Sequence, residues 1–182
     1  AFRERIKGCK LFILCNPHNP GGVVWQEEEL QEVARICHDE GVLVFSDEIH
    51  ADLTLPPYRH RPFAMISEEA RMNSVTFMSP SKAFNMPGLS ASHAIIPNPE
   101  LRARFRKFMD ACELDLGHAF AFLAVEAAYS NGTEWLEQCL AYIQGNVDYM
   151  DEYLKANAPK IKVVRPQASY LIWLDCREMG LS

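Results

Sequence analysis

Three short polar clusters in this sequence each follow an apolar run and carry side chains that could do chemistry. They contribute an amide, a carboxylate, an imidazole, two hydroxyls and an amine, on Asn19, Asp47, His50, Ser79, Ser81 and Lys82. The amine is the most informative group, because a lysine held at a fixed point beside a sheet can serve as a nucleophile. Lysines are mostly exposed surface cations, so the surroundings of Lys82 must decide between these two roles.

The apolar runs before the clusters are short and continuous, as in strands that are buried on both faces. They cover residues 10–15, 42–45 and 74–78, and residues 91–96 predict a fourth strand. Between the first two runs, residues 26–41 place apolar side chains at helical spacing, with acidic residues in the first turn and a glycine at the end. This order predicts an α/β fold: a three-layer, mostly parallel sheet with helices on both faces.

The predicted sheet gives the polar clusters a common location. Ligands of doubly wound sheets bind outside the carboxyl ends of the strands. The clusters at residues 16–22, 46–50 and 79–82 each follow the end of a predicted strand. We therefore expect them to converge on one edge of the sheet, which makes Lys82 part of a site rather than an isolated surface cation.

The second half of the chain is predicted to be mainly helical. Asn98 and Pro99 have the residue types of an N-cap and a first-turn proline. Residues 118–129 are apolar almost all round, which predicts a buried helix. Thr133 is expected to cap a long amphipathic helix, which Pro159 ends.

A change of pattern near Asn157 predicts a domain boundary. Residues 161–175 have the pattern of two strands around a turn. We assign residues 1–157 to a large domain and residues 158–182 to the start of a small α+β domain. Since the chain opens without a Met and stops just after an apparent strand, we expect it to be a piece of a longer protein.

Composition excludes several classes of function. The 182 residues are 48% hydrophobic and 23% charged, with a net charge of −6 and no basic block, which argues against a nucleic-acid platform. Apolar runs stay shorter than the roughly 18 residues of a membrane span, so no membrane association is expected. The six cysteines form no C-x-x-C motif, and we interpret them as reduced core residues of a cytoplasmic protein.

The functional groups of the three clusters are together the set that pyridoxal 5'-phosphate needs. Lys82 supplies an amine for the cofactor's aldehyde, and Asp47 supplies a carboxylate that can keep its ring nitrogen protonated. Asn19 supplies a donor for the phenolic oxygen, and Ser79 and Ser81 supply hydroxyls for the phosphate. When a substrate amino acid displaces Lys82, the freed amine can take the substrate's α-proton as a general base.

The motifs also carry a family resemblance. NPHNPGG, SDEIHADL and SPSKAFNMPGL, in this order and spacing, resemble fold-type I pyridoxal-phosphate enzymes of the class I/II aminotransferase superfamily. They are most similar to its cystathionine β-lyase, or C–S lyase, branch, in which SDEIH and SKTFN-x-x-GL are typical. ASYLIWLDCR, from residue 168 onward, is similar to that branch as well. The resemblance covers nearly the whole chain.

The resemblance implies a role for each matching residue. Lys82 corresponds to the lysine that binds the cofactor covalently, Asp47 to the partner of the ring nitrogen, and Asn19 to the donor for the phenolic oxygen. Ser79 and Ser81 lie where phosphate contacts are expected.

Two positions depart from the usual aminotransferase pattern. His50 stands where many aminotransferases carry a tyrosine that donates to the same phenolic oxygen, and its role is left open. Ser90, eight residues after Lys82, stands where many carry a phosphate-binding arginine. Both departures favour the lyase branch. The family's glycine-rich phosphate loop, its ring-stacking aromatic residue and its carboxylate-binding arginine are expected outside residues 1–182.

The resemblance implies a C–S β-lyase that acts on cystathionine or a related cysteine conjugate and releases a thiol, pyruvate and ammonia. It further implies a homodimer whose sites borrow residues from the partner. One alternative is an aminotransferase, which shares every step through α-proton removal. Another is a non-catalytic module that senses the cofactor or docks a regulator, which the presence of Asn19, Asp47 and Lys82 together disfavours. We expect the chain by itself to be inactive or nearly so.

Overall fold

A four-stranded sheet with helices on both faces forms the centre of the computed structural model, which describes residues 1–114 and 117–180. Its strands lie in sequence order, with β1 at Leu11–Cys15, β2 at Leu43–Asp47, β3 at Ser74–Met78 and β4 at His93–Ile95. β1, β2 and β3 are parallel, and β4 runs antiparallel to β3. The predicted three-layer, mostly parallel α/β fold is confirmed.

The helices are α1 Phe2–Ile6, α2 Glu27–Asp39, α3 Glu68–Met72, α4 Pro80–Ala83, α5 Pro99–Ala111, α6 Ala119–Asn131 and α7 Thr133–Asn157. Single 3₁₀ turns lie at Ala51–Leu53, Phe63–Met65, Pro87–Leu89 and Arg177–Met179. A second, two-stranded antiparallel sheet follows α7, with β5 at Lys162–Val164 and β6 at Trp173–Asp175. The boundary at residue 157 stays a prediction, and residues 181–182 of the predicted small domain lie outside the described residues.

One face of the sheet packs on α2 to form the main core. Leu30 and Cys37 of α2 are fully buried together with Leu14 of β1 and Val44 of β2. Helical spacing in α2 and alternation in the strands bring these apolar positions to one interface. The helix begins with a capping box in which Glu29 accepts the backbone N–H of Gln26 and the Gln26 side chain caps in return. This packing fixes the position of β2 relative to β1.

The opposite face of the sheet is only partly covered. Phe45 and Phe77 stack with their ring centroids 4.2 Å apart, and Phe105 of α5 meets Phe77 edge-on at 6.2 Å. Leu11 and Ile13 of β1 remain 46% and 64% exposed on this face. The layer that includes α5 therefore shields β3 while leaving β1 open.

The structure corrects the prediction that residues 118–129 form a buried helix. α6 is helical as expected, but Phe120, Phe122 and Leu123 are 69%, 63% and 63% exposed. A helix that is apolar all round needs packing partners on every side. α4 and α7 contact part of its surface, and the contacts within the described chain leave those three side chains open.

The predicted helix caps have mixed outcomes. Asn98 is confirmed as the N-cap of α5, since its Oδ1 accepts the backbone N–H groups of Glu100 and Leu101 at 3.0 and 3.2 Å. Thr133 is not a cap, because Gly132 occupies that position and Thr133 is the first helical residue. A Cβ at Gly132 would collide with the ring of Phe84, so only glycine fits this corner between α6 and α7.

The burial of the cysteines tests their interpretation as core residues. All six cysteines are free thiols. Cys37 is buried as predicted, whereas Cys9 and Cys112 are exposed, so the interpretation of these two as core residues is wrong.

Among residues 1–114 and 117–180, no helix has the length and apolar character needed to cross a membrane.

The 3₁₀ turn at Phe63–Met65 allows a matched test of the core. Phe63 is 0% exposed, whereas Met65, two residues later, is 80% exposed. We predict that Phe63→Ala lowers the free energy of unfolding by about 3–5 kcal/mol through lost burial and a cavity. Met65→Ala should change it by less than about 0.5 kcal/mol. Urea unfolding of the full-length protein measures both, and equal effects of the two changes would contradict the described core.

Candidate active site

The carboxyl ends of β1, β2 and β3 lie side by side at the same level. Cys15, the last residue of β1, is opposite Asp47 in β2, and Asp47 is opposite Phe77 in β3. The three polar clusters therefore leave the sheet at one edge. This confirms the predicted convergence, and its cause is the shared parallel register of the three strands.

The first cluster is tied to the second by backbone and side-chain contacts. The backbone N–H of Asn16 donates to the carbonyl of Asp47 at 3.0 Å, and Asn16 Oδ1 accepts the N–H of Trp25 at 3.1 Å. Asn16 is fully buried, so it anchors the turn that follows. At the other end of this turn, Asn19 Nδ2 lies 3.3 Å from His50 Nε2. The two predicted cofactor contacts Asn19 and His50 are thus in direct contact.

Asp47 is half-buried at the end of β2. Its Oδ1 accepts the backbone N–H of Ile49 at 3.3 Å. The next residue is held to β3, because the N–H of Glu48 donates to the carbonyl of Phe77 at 2.9 Å. These bonds orient the end of β2, so the Asp47 carboxylate has a fixed position at the edge of the sheet.

Glu48 is a site residue that the sequence analysis missed. It is 1% exposed, and its Oε1 accepts the hydroxyl of Ser46 at 2.8 Å and the N–H of Phe63 at 2.9 Å. His60 Nε2 donates to its Oε2 at 2.7 Å. Strand alternation was the available signal, since Glu48 directly follows β2 and consecutive residues of an extended chain point to opposite faces. Through these hydrogen bonds to His60 and Phe63, Glu48 holds the proline-rich loop against the end of β2, which carries Asp47.

Lys82 lies in α4, directly after β3, and is half-buried. Ser79 caps this short helix, since its Oγ accepts the N–H of Ser81 at 3.1 Å. Pro80 occupies the first turn, where its fixed φ suits a helix. The stiff loop around Lys82 is therefore a capped helical turn, which gives the lysine a defined attachment point beside the sheet.

The hydroxyls of Ser79 and Ser81 already have partners within the chain. The two Oγ atoms lie 2.6 Å apart, and the carbonyl of Ala91 accepts from Ser79 Oγ at 2.5 Å and from Ser81 Oγ at 3.3 Å. Contact with a phosphate would require these hydroxyls to turn away from Ala91. Their proposed phosphate role stays a prediction.

His50 connects the three clusters electrostatically. Burial lowers the pKa of its imidazole below the ordinary value, the nearby positive charge of Lys82 lowers it further, and Asp47 acts in the opposite direction. Lys82 and Asp47 therefore act on the His50 proton in opposite directions. With Asn19 Nδ2 as the donor to Nε2, the remaining proton of a neutral His50 lies on Nδ1.

The donor set fits pyridoxal phosphate. His50 is 2% exposed, and its Nδ1 has no hydrogen-bond partner among the described residues. Buried polar atoms without partners are uncommon and costly. Five such atoms lie among the described residues, and the one on His50 belongs to the residue that contacts Asn19. An amine at Lys82, a carboxylate at Asp47 and an amide at Asn19 surround the same strand ends.

Comparison with known proteins agrees with this chemistry. The family model for aminotransferase class I and II matches residues 1–180. The curated relative cystathionine beta-lyase PatB of Bacillus subtilis (strain 168) is 47% identical over 172 residues, which are 94% of this chain and 44% of PatB. The chain thus spans about half the length of the curated relatives that it matches.

Solved structures show the same fold. A PLP-bound protein of Clostridium difficile 630, provisionally named an aminotransferase, matches with a TM-score of 0.96 and 40% identity over 100% of this chain and 47% of that chain. A PLP-bound C–S lyase from Staphylococcus hominis matches with a TM-score of 0.88 and 33% identity over 100% of this chain and 46% of that chain. Both likenesses extend through all the elements that hold the site.

The buried position of His50 generates a pH prediction. We expect its imidazole to titrate below the ordinary pKa of 6.5, because burial and Lys82 both disfavour the charged form. Since the unfolded chain keeps the ordinary value, it binds more protons just below pH 6.5, and His50 makes the folded state less stable as the pH falls. An NMR titration of the imidazole in the cofactor-free, full-length protein measures this pKa.

Two variants separate the causes of the His50 shift. Removing the positive charge in Lys82→Met should raise the pKa of His50 toward its ordinary value. Removing the negative charge in Asp47→Asn should lower it further. A His50 midpoint at or above 6.5, or a midpoint that neither variant changes, would contradict the arrangement of the three side chains.

Proposed function

The chain belongs to the aminotransferase class I and II family, and we propose that the protein is a pyridoxal-phosphate-dependent C–S β-lyase. Its proposed substrates are cystathionine or related cysteine conjugates, from which it releases a thiol, pyruvate and ammonia. The observation that carries this proposal is the meeting of three clusters at one sheet edge, where Asn19 contacts His50 and the charges of Asp47 and Lys82 both act on it. The similarity to PatB, which is named a cystathionine beta-lyase, supports the reaction class.

Lys82 and Asp47 have the central roles in the proposed reaction. Pyridoxal phosphate, when bound, supplies an electron sink for the negative charge left at the substrate α-carbon. Asp47 would keep a proton on the ring nitrogen, so that the ring can accept these electrons. Lys82 would hold the cofactor's aldehyde at rest and, once displaced by substrate, take the α-proton through its free amine.

Asn19 and His50 would orient the cofactor's phenolic oxygen. The amide Nδ2 of Asn19 carries two hydrogens, and one of them is directed to His50 Nε2. The second is available to the phenolic oxygen. In this proposal His50 fixes the Asn19 amide by accepting its other hydrogen, while Ser79 and Ser81 turn their hydroxyls from Ala91 to the phosphate.

We propose further that the protein is a cytoplasmic homodimer. The exposed apolar side chains of α6, among them Phe120 and Phe122, support a partner surface in the assembled enzyme.

Free thiols at all six cysteines support a reducing compartment. The two-domain division is supported by the end of α7 at Asn157 and by the separate β5–β6 sheet beyond it.

An aminotransferase is the main alternative. It would use the same residues through α-proton removal and then return the proton to the cofactor rather than expel sulfur. The structure from Clostridium difficile, provisionally named an aminotransferase, favours keeping this alternative. Fold and cofactor-binding residues are common to both reactions, so only product analysis separates them.

The test is incubation of the full-length protein with L-cystathionine, with and without a 2-oxo acid. We predict pyruvate and thiol release without the oxo acid, because β-elimination needs no amino-group acceptor. Lys82→Ala should lower the rate by at least about a hundredfold through loss of the general base. Lys107→Ala, which changes an exposed lysine of α5, is the matched control and should leave it unchanged.

The outcomes of this experiment divide the candidate functions. Strict dependence of turnover on the oxo acid would contradict the lyase and support the aminotransferase. Absence of a visible absorption band from lysine-bound cofactor, in a protein that remains folded, would instead support the non-catalytic module.

A further inference from the structure

A cavity of about 340 Å³ lies beside Lys82, between α4, α7 and the segment before β6. Its wall includes Lys82, Trp135, Cys139, Tyr142, Ile143 and Tyr170. This volume falls within the range of about 300–1,000 Å³ that is typical of small-molecule sites. The cavity therefore has room for one small organic group next to the reactive amine.

Two contacts connect this cavity with the proposed site. Lys82 is itself part of the wall. Tyr170, on another side of the cavity, lies with its ring centroid 5.9 Å from that of His50. A group that enters the cavity is thus bounded by the residue that would hold the cofactor and by a neighbour of the imidazole that contacts Asn19.

The lining is uncharged apart from the lysine. Its polar members are amides and hydroxyls, such as Asn85, Asn146 and Ser81, and Lys82 is the one charged residue that the described chain contributes to it. A carboxylate or ammonium in this cavity would lose hydration without gaining a dedicated counter-charge. Thioethers and aromatic rings, by contrast, make favourable contacts with aromatic side chains.

The aromatic wall is held in place relative to Lys82. Trp135 stacks on Phe84, with ring centroids 5.9 Å apart and planes 28° apart, and Phe84 follows Lys82 by two residues. Tyr129 meets Phe84 edge-on at 5.8 Å. At the same corner, a Cβ at Gly132 would collide with Phe84. Trp135 is therefore a preorganised surface rather than a freely moving side chain.

We infer that this cavity binds the sulfur-linked substituent of the substrate and selects neutral apolar or aromatic groups, with Trp135 and Tyr142 as specificity-determining residues. The inference rests on the proposed function, since it assigns the substrate class of that same site. We therefore expect a higher kcat/KM for cysteine thioethers with alkyl or aryl groups than for substrates with a charged distal end. The exposed faces of Trp135 and Tyr142, 47% and 72% accessible, are the contact surface.

The kinetic test compares S-benzyl-L-cysteine, S-methyl-L-cysteine and L-cystathionine in the full-length holoenzyme. We expect the highest kcat/KM for the benzyl compound. Trp135→Ala and Tyr142→Ala should each lower its kcat/KM by about tenfold, a typical effect of lost apolar contact in a specificity pocket. The same variants should change kcat/KM for S-methyl-L-cysteine by less than about threefold, because a methyl group barely reaches the wall.

Two controls outside the cavity match the tested side chains, one on β6 and one on α7. Trp173→Ala removes a tryptophan that is 53% exposed, and Tyr149→Ala removes a tyrosine of α7 that is 69% exposed, and neither residue lines the cavity. Both controls should leave the ratio of kcat/KM for the benzyl and methyl compounds unchanged. A control that lowers this ratio as strongly as Trp135→Ala would overturn the assignment.

A binding measurement separates this inference from the proposed function. Calorimetry with S-benzyl-L-cysteine on cofactor-free Lys82→Ala protein should show binding that Trp135→Ala weakens by about tenfold, whether or not a lyase reaction occurs. If binding persists while no conjugate releases a thiol from the holoenzyme, the lyase proposal fails and the thioether site stands. If Trp135→Ala and Tyr142→Ala lower only the free energy of unfolding and leave binding and selectivity unchanged, another segment fills the cavity and the inference is wrong.

Discussion

The parallel register of β1, β2 and β3 is the constraint on which the rest of the site depends. Because Cys15, Asp47 and Phe77 lie opposite one another, the three segments that follow the strands leave the sheet at one level. A shift of one residue in any strand would turn its side chains to the other face. The buried contacts of Leu14 and Val44 with α2 prevent such a shift. The packing of the core therefore also determines the geometry of the site.

Because side chains alternate along an extended strand, the adjacent carboxylates of Asp47 and Glu48 point in opposite directions and have different roles. Asp47 is half-buried at the open edge, while Glu48 points into the core and binds Ser46, His60 and the backbone of Phe63. A buried carboxylate is stable only with such a full set of donors. Glu48 therefore holds the backbone beneath the site in place, and the Asp47 side chain stays at the edge of the sheet where a ligand can reach it.

The sequence was most informative where a pattern reports a local interaction. Apolar runs located the strands to within a few residues, and the Asn98 cap followed from the hydrogen bonds that its short side chain can make. The convergence of the clusters also followed, because it needs only strand direction. Patterns that depend on tertiary partners were less informative: α6 is apolar all round yet exposed, and Thr133 yields its cap position to Gly132. Strand alternation predicts that Glu48 faces the core, but its partner His60 lies in an irregular loop that no periodicity locates, so their contact was not predicted.

Covalent attachment of the cofactor at one lysine is the central claim, and it can be measured chemically. The full-length protein would be loaded with pyridoxal phosphate, reduced with borohydride, digested and mapped by mass spectrometry. The arrangement of Asn19, Asp47 and His50 around one sheet edge predicts a phosphopyridoxyl group on Lys82 alone. The same label on a different lysine, or a folded and loaded protein with no labelled peptide, would contradict it.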